Sequence, residues 1–147
     1  MMTGSMFRWR TKEKEYNNHK KSNRSESCDF CQLVAQHTSQ VVEETQYCLI
    51  IKNRFGYDFW DGCGVSDHLM VIPKRHVDSL ANLKDEEKID YIDQVARFES
   101  SGYSIYARAQ GSKTKSMIHQ HTHLIKIDGK TKKWLVFLQK PHIVITR

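Results

Sequence analysis

The pattern of apolar and polar residues along the chain predicts a sheet with one long packed helix. Between 85 and 98, apolar residues recur at helical spacing, and Asp85, Glu86 and Glu87 lie where they interact favourably with the helix dipole. Compact apolar runs bounded by turn-forming residues predict strands at 46–52, 68–72, 103–107, 117–125, 134–138 and 142–145. This order of elements implies an α+β fold in which a mainly antiparallel sheet carries a packed amphipathic helix.

Shorter elements and turns connect these strands. A short helix is predicted at 30–35. The segment 53–67, with three glycines and four aromatic residues, is predicted to be an ordered surface loop or a binding rim. The pair Asp128-Gly129 predicts a hairpin, so 128–147 is expected to be a C-terminal extension of strands.

The N-terminal segment 1–26 is rich in lysine and arginine and poor in apolar side chains. Such a segment cannot bury enough apolar surface to fold alone, so it is predicted to be a basic, disordered tail, with 27–147 as a single domain. Phe7 and Trp9 among the basic residues favour weak contact with nucleic acid, because aromatic stacking and cations cooperate there. The net charge of +6 also favours anionic ligands.

The composition argues against several classes of protein. The apolar runs are far shorter than the roughly 20 residues that span a bilayer, and no apolar signal core follows the basic N-terminus. We therefore expect a cytoplasmic protein with no membrane partner. Of the four cysteines, Cys28 and Cys31 have metal-ligand spacing, whereas Cys48 lies in a predicted strand and Cys63 in a glycine-rich loop. This usage is typical of a reduced compartment.

Three histidines, His119, His121 and His123, stand at alternate positions in the run MIHQHTHLI of 117–125. Alternate residues of a strand point to one face, so three imidazoles are predicted to line one wall. Imidazoles can bind a transition metal, or one of them can attack an electrophile while its neighbours supply protons and orientation. Taken alone, the three histidines leave both chemistries open.

Two further motifs precede this run. The segment DHLMVIPKRHV of 67–77 reads as a strand ending in Val-Ile-Pro-Lys-x-His, and CDFC of 28–31 is a Cys-x-x-Cys pair. With the triple histidine, the chain from roughly Cys28 to Ile127 resembles the histidine-triad (HIT) nucleotide hydrolases and transferases. The resemblance implies an HIT-like fold and cleavage at the α-phosphorus of a nucleoside phosphoramidate, a dinucleoside polyphosphate or a related nucleotide conjugate.

The resemblance also implies a role for each triad histidine. His121 is expected to attack the α-phosphorus and to form a nucleotidyl-histidine that water resolves, with no metal required for the chemistry. His123 is expected to bond phosphate oxygens or the leaving group, and His119 completes the catalytic set. The expected substrate-binding residues are His68, Ser116 and Asn53.

A structural zinc ion is the second implication of the resemblance, with Cys28, Cys31, His76 and His119 as its ligands. The Cys-x-x-Cys pair supplies two thiolates from one turn, and zinc takes four nitrogen or sulfur ligands in a tetrahedron. His76 and His119 match the histidines that complete this site in the family. A closed site with four protein ligands leaves no position for substrate, so the expected role of zinc is structural.

Some residues depart from the family pattern. Gln120 and Thr122 stand where apolar residues are usual, so the other face of this strand is expected to be wetter or to pack differently. The approach to the histidines is basic, and its Lys113 and Lys115 are hypothesised to contact a polyphosphate.

Three functions remain open on the sequence. The first is the nucleotide hydrolase or transferase, which the resemblance implies to be a homodimer with a nucleotide substrate. The second is a zinc-stabilised nucleotide- or nucleic-acid-binding module whose triad binds phosphate without turnover and whose basic tail acts as an arm. The third is a metal-dependent hydrolase in which the three histidines hold the metal.

Overall fold

The computed structural model describes residues 7–22, 28–132, 135–139 and 142–146. Its helices are α1 (Arg10–Ser22), α2 (Asp29–Gln36) and α3 (Asp85–Ser100), with a 3₁₀ turn at Leu80–Asn82. Its strands are β1 (Val41–Glu44), β2 (Cys48–Lys52), β3 (Phe59–Trp60), β4 (Cys63–Pro73), β5 (Ser104–Tyr106), β6 (Thr122–Thr131), β7 (Leu135–Gln139) and β8 (His142–Thr146). No helix among these residues is long and apolar enough to cross a membrane.

The strands form one sheet in the order β1-β2-β4-β6-β5, with β3 paired to β4, and a separate pair of β7 with β8. Strands β1 and β2, β2 and β4, and β5 and β6 pair antiparallel. The predicted α+β class with a mainly antiparallel sheet is therefore confirmed. In this order β4 and β6, which carry residues of the two histidine motifs, are neighbours at the centre of the sheet.

Strand β2 contributes to the core on both of its faces. Leu49 packs with Phe30 of α2 in one apolar cluster, whereas Ile50 packs with Tyr91 and Phe98 of α3 in another. Consecutive residues of a strand point to opposite faces, so β2 is covered on both sides. This explains why its apolar run is continuous rather than alternating.

Helix α3 has the predicted position, but only part of its predicted apolar set faces the core. That set is Ile89, Ile92, Val95, Ala96 and Phe98. Phe98 is buried and Val95 packs on the cluster that contains Tyr91, whereas Ile89 and Ile92 are 62% and 59% exposed. The predicted packing of these two isoleucines is therefore wrong, because the larger aromatic side chains occupy the buried stripe.

The chain divides into two compact units. The first comprises the described residues of 26–54 and 68–125, and it contains every predicted site residue. The second comprises the described residues of 1–25, 55–67 and 126–147. The assignment of 27–147 to a single domain remains a prediction.

The predicted disordered tail is wrong for residues 7–22, since α1 is a helix and the residues before it pack within the second unit. The ring of Phe7 stacks on Tyr57 and Trp60, with centroids 4.6 and 5.6 Å apart. Arg8 is buried, and its Nε donates to the carbonyl oxygen of Phe55 at 2.7 Å. The partners lie about 50 residues downstream, so the segment does not fold alone but on the 55–67 segment.

Two strand boundaries also differ from the prediction. Strand β4 begins at Cys63, inside the segment predicted to be a loop, and pairs there with β3. Strand β6 continues to Thr131, so the predicted hairpin at Asp128-Gly129 is wrong. Gly129 has φ +70°, a conformation that glycine adopts readily, and β6 continues through it without forming a turn. The strands predicted after it are present as the β7–β8 pair.

The N-terminus of α3 is held by Glu87, which leads to a prediction about acid stability. The Glu87 carboxylate accepts from the Lys84 backbone N–H at 2.7 Å and from Arg75 Nε at 2.8 Å. We expect Glu87→Gln to lower the free energy of unfolding at neutral pH by about 1 kcal/mol, because it weakens a helix cap. Asp85→Asn, at a 91%-exposed position of the same helix, is the matched control.

The pH dependence of this effect has a defined sign. The hydrogen bond from Arg75 lowers the pKa of Glu87 from 4.5 to about 2. The stabilisation is therefore complete above pH 4.5 and is lost as the pH falls towards 2. In urea unfolding, the difference between wild type and Glu87→Gln should shrink over this interval. A difference that stays constant would contradict the assigned role of the ionised carboxylate.

Candidate active site and metal centre

The three triad histidines do not share one regular strand. Strand β6 begins at Thr122, so His119 and His121 lie in the segment that leads into it, and only His123 is a strand residue. The prediction of a single strand wall is wrong in this respect. All three side chains are nevertheless buried, and the His121 and His123 rings lie 5.0 Å apart. A bend at residues 118 and 119 directs the His119 ring to a different set of neighbours.

Those neighbours are the other predicted metal ligands. The ligand atoms of Cys28, Cys31, His76 and His119 all lie within 4.8 Å of one another. His119 Nδ1 is 3.5 Å from Cys28 Sγ and 3.6 Å from Cys31 Sγ, and His76 Nδ1 is 3.2 Å from Cys31 Sγ. The structure therefore brings together the four residues predicted to hold a metal, with both cysteines supplied by the start of α2.

The hydrogen bond of His119 prepares it as a ligand. Its Nε2 lies 2.9 Å from the carbonyl oxygen of Pro73, which can only accept, so Nε2 carries the proton. Nδ1 then presents its lone pair to the two sulfur atoms. Burial lowers the pKa of His119 to about 4, which keeps the ring neutral. A carbonyl partner for the second nitrogen is the usual support of a metal-binding histidine.

The thiols fit a zinc ion as well. Burial and the neighbouring Cys28 thiol raise the pKa of Cys31 to about 11. Cys31 therefore becomes a thiolate only when a cation compensates its charge, which is how zinc binding releases protons. Two thiolates and two neutral imidazoles form a donor set suited to tetrahedral zinc.

His121 is fixed in a different tautomer. Its Nδ1 lies 2.9 Å from the carbonyl oxygen of His119, so Nδ1 carries the proton and Nε2 has the lone pair. Burial lowers the pKa of His121, which favours the neutral ring. The ring of Phe30 packs against both His121 and His119, at centroid distances of 5.4 and 5.7 Å. The chain thus holds a neutral imidazole with a defined nucleophilic nitrogen.

The predicted residues Asn53 and His68 lie beside His123. Asn53 Nδ2 donates to His68 Nε2 at 3.2 Å, and the same ring nitrogen is 3.0 Å from His123 Nδ1. Tyr106 stacks on His123 at 5.8 Å. Asn53, His68 and His123 therefore form a connected polar group.

Ser116, Lys113 and Lys115 make no hydrogen bond to this group among the described residues. Ser116 is exposed, and within the described chain no hydrogen bond joins it to another predicted site residue. Lys113 is also exposed. Lys115 instead donates to the carbonyl oxygen of Asp78 at 2.8 Å and to Gln120 Oε1 at 2.9 Å. Its amine is thus engaged with the protein itself.

Sequence reasoning missed three aromatic neighbours of the site. Phe30 stands between the two cysteines of Cys-x-x-Cys, a position that places it beside the candidate metal ligands and could have indicated its contact with His119. Tyr91 lies on α3 and Tyr106 on β5, and only tertiary pairing brings them to the histidines. Nothing in the local sequence of either residue signals that contact.

The predicted departure at Gln120 and Thr122 takes the form of different packing. Both residues are buried, with only 3% of each exposed. Gln120 bonds Lys115, and Thr122 accepts from the Tyr91 hydroxyl at 2.8 Å. The face opposite to His123 is therefore polar but dry.

Comparison with solved structures places this fold among HIT proteins. The chain superposes on a HIT family hydrolase from Clostridium thermocellum with a TM-score of 0.54 and 20% identity, covering 74% of this chain and 98% of that one. A HIT family member from Bacillus subtilis gives 0.56 and 24%, covering 71% and 76%. A histidine triad nucleotide-binding protein from Candida albicans gives 0.55 and 21%, covering 77% and 80%.

The sequence comparisons are more specific about the family. No curated protein matches the chain. The profile of one protein family, described as "Protein similar to CwfJ C-terminal", matches residues 15–140, which includes both the metal centre and the triad. With its HIT fold, the chain belongs to this family of proteins similar to the C-terminal region of CwfJ.

Proposed function

We propose that this protein is a nucleotide hydrolase or transferase that works through a nucleotidyl-histidine at His121. The observation that carries the proposal is the hydrogen bond from His121 Nδ1 to the His119 carbonyl oxygen at 2.9 Å, which leaves the Nε2 lone pair available. A neutral, buried imidazole with a fixed tautomer is a competent nucleophile near pH 7. The HIT fold and the names of its structural relatives, a hydrolase and a nucleotide-binding protein, support this chemistry.

The reaction has two steps. In the first, the His121 Nε2 lone pair forms a bond to the α-phosphorus, the bond from phosphorus to the leaving group breaks, and that group departs with the electron pair and takes up a proton from solvent. In the second, water attacks phosphorus and gives one proton back to solvent, and the P–N bond returns its electrons to Nε2. His123 and His68 are proposed to bond the phosphate oxygens. The proposed substrates are nucleoside phosphoramidates, dinucleoside polyphosphates and related nucleotide conjugates.

A structural zinc ion at Cys28, Cys31, His76 and His119 is proposed to support this site. When bound, zinc supplies folding energy and no redox or acid–base chemistry, since all four ligands come from the protein. Within the described chain the metal cluster contains only one triad histidine, His119. This arrangement disfavours a hydrolase in which the whole triad holds a catalytic metal.

The nucleic-acid-binding module is a second candidate, and one observation in the second unit favours it. Trp9 is 60% exposed and precedes Arg10 and Lys14 on the exposed part of α1. An exposed indole next to cations suits base stacking combined with phosphate contact. Phe7 is unsuited to this role because it stacks within the protein.

A homodimer also remains a proposal.

The first prediction concerns His121. The variant His121→Ala should release AMP from adenosine phosphoramidate or diadenosine polyphosphates at least about a thousandfold more slowly than wild type, because it lacks the nucleophile. His37→Ala, which removes an exposed histidine, should keep the wild-type rate. AMP release is followed by chromatography after circular dichroism has shown that each variant is folded. Equal rates for His121→Ala and wild type would refute the nucleotidyl-histidine route.

The second prediction concerns zinc. The purified protein should contain one zinc per chain by elemental analysis, and Cys28→Ser should lose it, whereas Cys63→Ser at the start of β4 should retain it. Chelation should lower the free energy of unfolding by about 3 kcal/mol or more, because the metal binds only the folded site. Retention of zinc in Cys28→Ser would contradict the assigned ligands. Residual turnover after complete chelation would exclude a catalytic metal.

The third prediction tests the binding module. If α1 contacts phosphates, the double variant Arg10→Ala, Lys14→Ala should bind single-stranded oligonucleotides with a salt slope smaller by about 1.4, the value for two lost contacts. The pair Lys52→Ala, Lys84→Ala, also exposed but in the first unit, is the control. Fluorescence anisotropy over a salt series measures both. An unchanged slope in the α1 variant would remove α1 from the proposed interface.

A further inference from the structure

The residues between the triad histidines are held by hydrogen bonds from the opposite side of the segment. We propose that Tyr91 of α3 is a positioning residue for His121 and His123, acting through Thr122. The inference rests on the proposed function, in which His121 is the nucleophile. It assigns to α3 a specific contribution to the rate.

The contact is short and buried. The Tyr91 hydroxyl donates to Thr122 Oγ1 at 2.8 Å and lies 3.2 Å from the carbonyl oxygen of Val71. Tyr91 and Thr122 are each 3% exposed, so water does not compete for these groups. Burial raises the pKa of Tyr91 well above its usual value, and the hydroxyl stays protonated. Thr122 is thereby tied to both α3 and the neighbouring strand β4.

Thr122 is the residue through which such a tie reaches both histidines. Its peptide groups join it directly to His121 and His123, and strand alternation directs its side chain away from that of His123. A hydrogen bond restricts distance and angle, whereas an apolar side chain at this position would be held only by packing. A fixed Thr122 therefore restricts the positions of both the proposed nucleophile, His121, and the proposed phosphate-binding residue, His123.

Gln120 provides a second tie on the same segment. Its backbone N–H donates to the carbonyl oxygen of Val77 at 2.6 Å, and its side-chain Oε1 accepts from Lys115 at 2.9 Å. Gln120 Nε2 also donates to the carbonyl oxygen of His121 at 3.3 Å. Both polar residues that separate the histidines are therefore held by hydrogen bonds, and Tyr91 supplies the one to Thr122.

The test compares Tyr91→Phe, Thr122→Val and the double variant with wild type, using adenosine phosphoramidate as the probe. Each single variant removes one hydroxyl and should lower kcat about tenfold with little change in KM, since displacement of the reacting atoms slows chemistry more than binding. The double variant should lose no more than Tyr91→Phe alone, because Thr122→Val removes only the contact that Tyr91→Phe already removes. Thr122→Ser, which keeps the hydroxyl, should restore most of kcat.

A matched control separates positioning from general loss of stability. Tyr47→Phe removes a hydroxyl from a tyrosine packed on the same apolar cluster, but within the described chain this hydroxyl bonds only exposed Gln46. Histidine ¹⁵N spectra of all variants provide a readout that does not need turnover. The imidazole signals of His121 and His123 should shift in Tyr91→Phe and Thr122→Val and stay in place in Tyr47→Phe.

The outcomes separate the two proposals. If wild type turns over and Tyr91→Phe matches Tyr47→Phe in kcat, or if Tyr91→Phe and Thr122→Val multiply their effects, the positioning role is overturned. If wild type shows no turnover, the proposed function fails, and the spectra alone decide: shifted His121 and His123 signals support the positioning role, and unchanged signals overturn it.

Discussion

The arrangement of both chemical centres depends on the way His119 is held. Its Nδ1 faces the two cysteines, its Nε2 bonds the Pro73 carbonyl at the end of β4, and its own carbonyl accepts from His121. One residue thus sets the tautomer of a metal ligand and of the candidate nucleophile. Both tautomers follow from the fact that a carbonyl oxygen can only accept. A shift of His119 would alter both centres at the same time.

The interior around the triad is unusual in being polar and closed. His119, Gln120, His121, Thr122 and His123 form a continuous run of buried polar side chains. Buried polar groups are costly unless they are paired, and no buried side-chain nitrogen or oxygen of the described residues lacks a partner. Fully satisfied networks of this kind define a single arrangement more strictly than apolar packing does. The segment therefore combines a fixed geometry with chemical reactivity.

Much of the site could be predicted from sequence because its residues lie in short motifs with fixed spacing. Cys28 and Cys31, the Pro73-Lys-x-His76 segment and the histidine run each carry a local signal, and the metal cluster joins all three. The choice of His76 and His119 as the remaining metal ligands came from the family resemblance. The sequence also indicated α3, because a long amphipathic helix depends on periodicity alone.

The errors share a physical cause, which is that they depend on contacts distant in sequence. The ordering of 7–22 requires the aromatic residues of 55–67, and the buried face of α3 is chosen by Tyr91 and Phe98 rather than by the isoleucines. The partners of Gln120 and Thr122 come from the loop before them and from a helix some 30 residues earlier. Polarity alone left a wetter face and different packing both open, since a sequence does not show which polar groups are paired.

The packing of 7–22 also shows that the part of the chain with recognisable motifs is shorter than the part that folds. The sequence motifs begin at Cys28, yet Phe7 stacks on Tyr57 and Trp60 of the 55–67 segment and Arg8 lies against the rings of Tyr16 and Tyr57. A chain shortened to the motif would uncover this aromatic surface and leave the Phe55 carbonyl without its buried guanidinium donor. Such a fragment would keep every candidate site residue but would expose an aromatic surface that favours aggregation. Its poor solubility would therefore reveal nothing about the site.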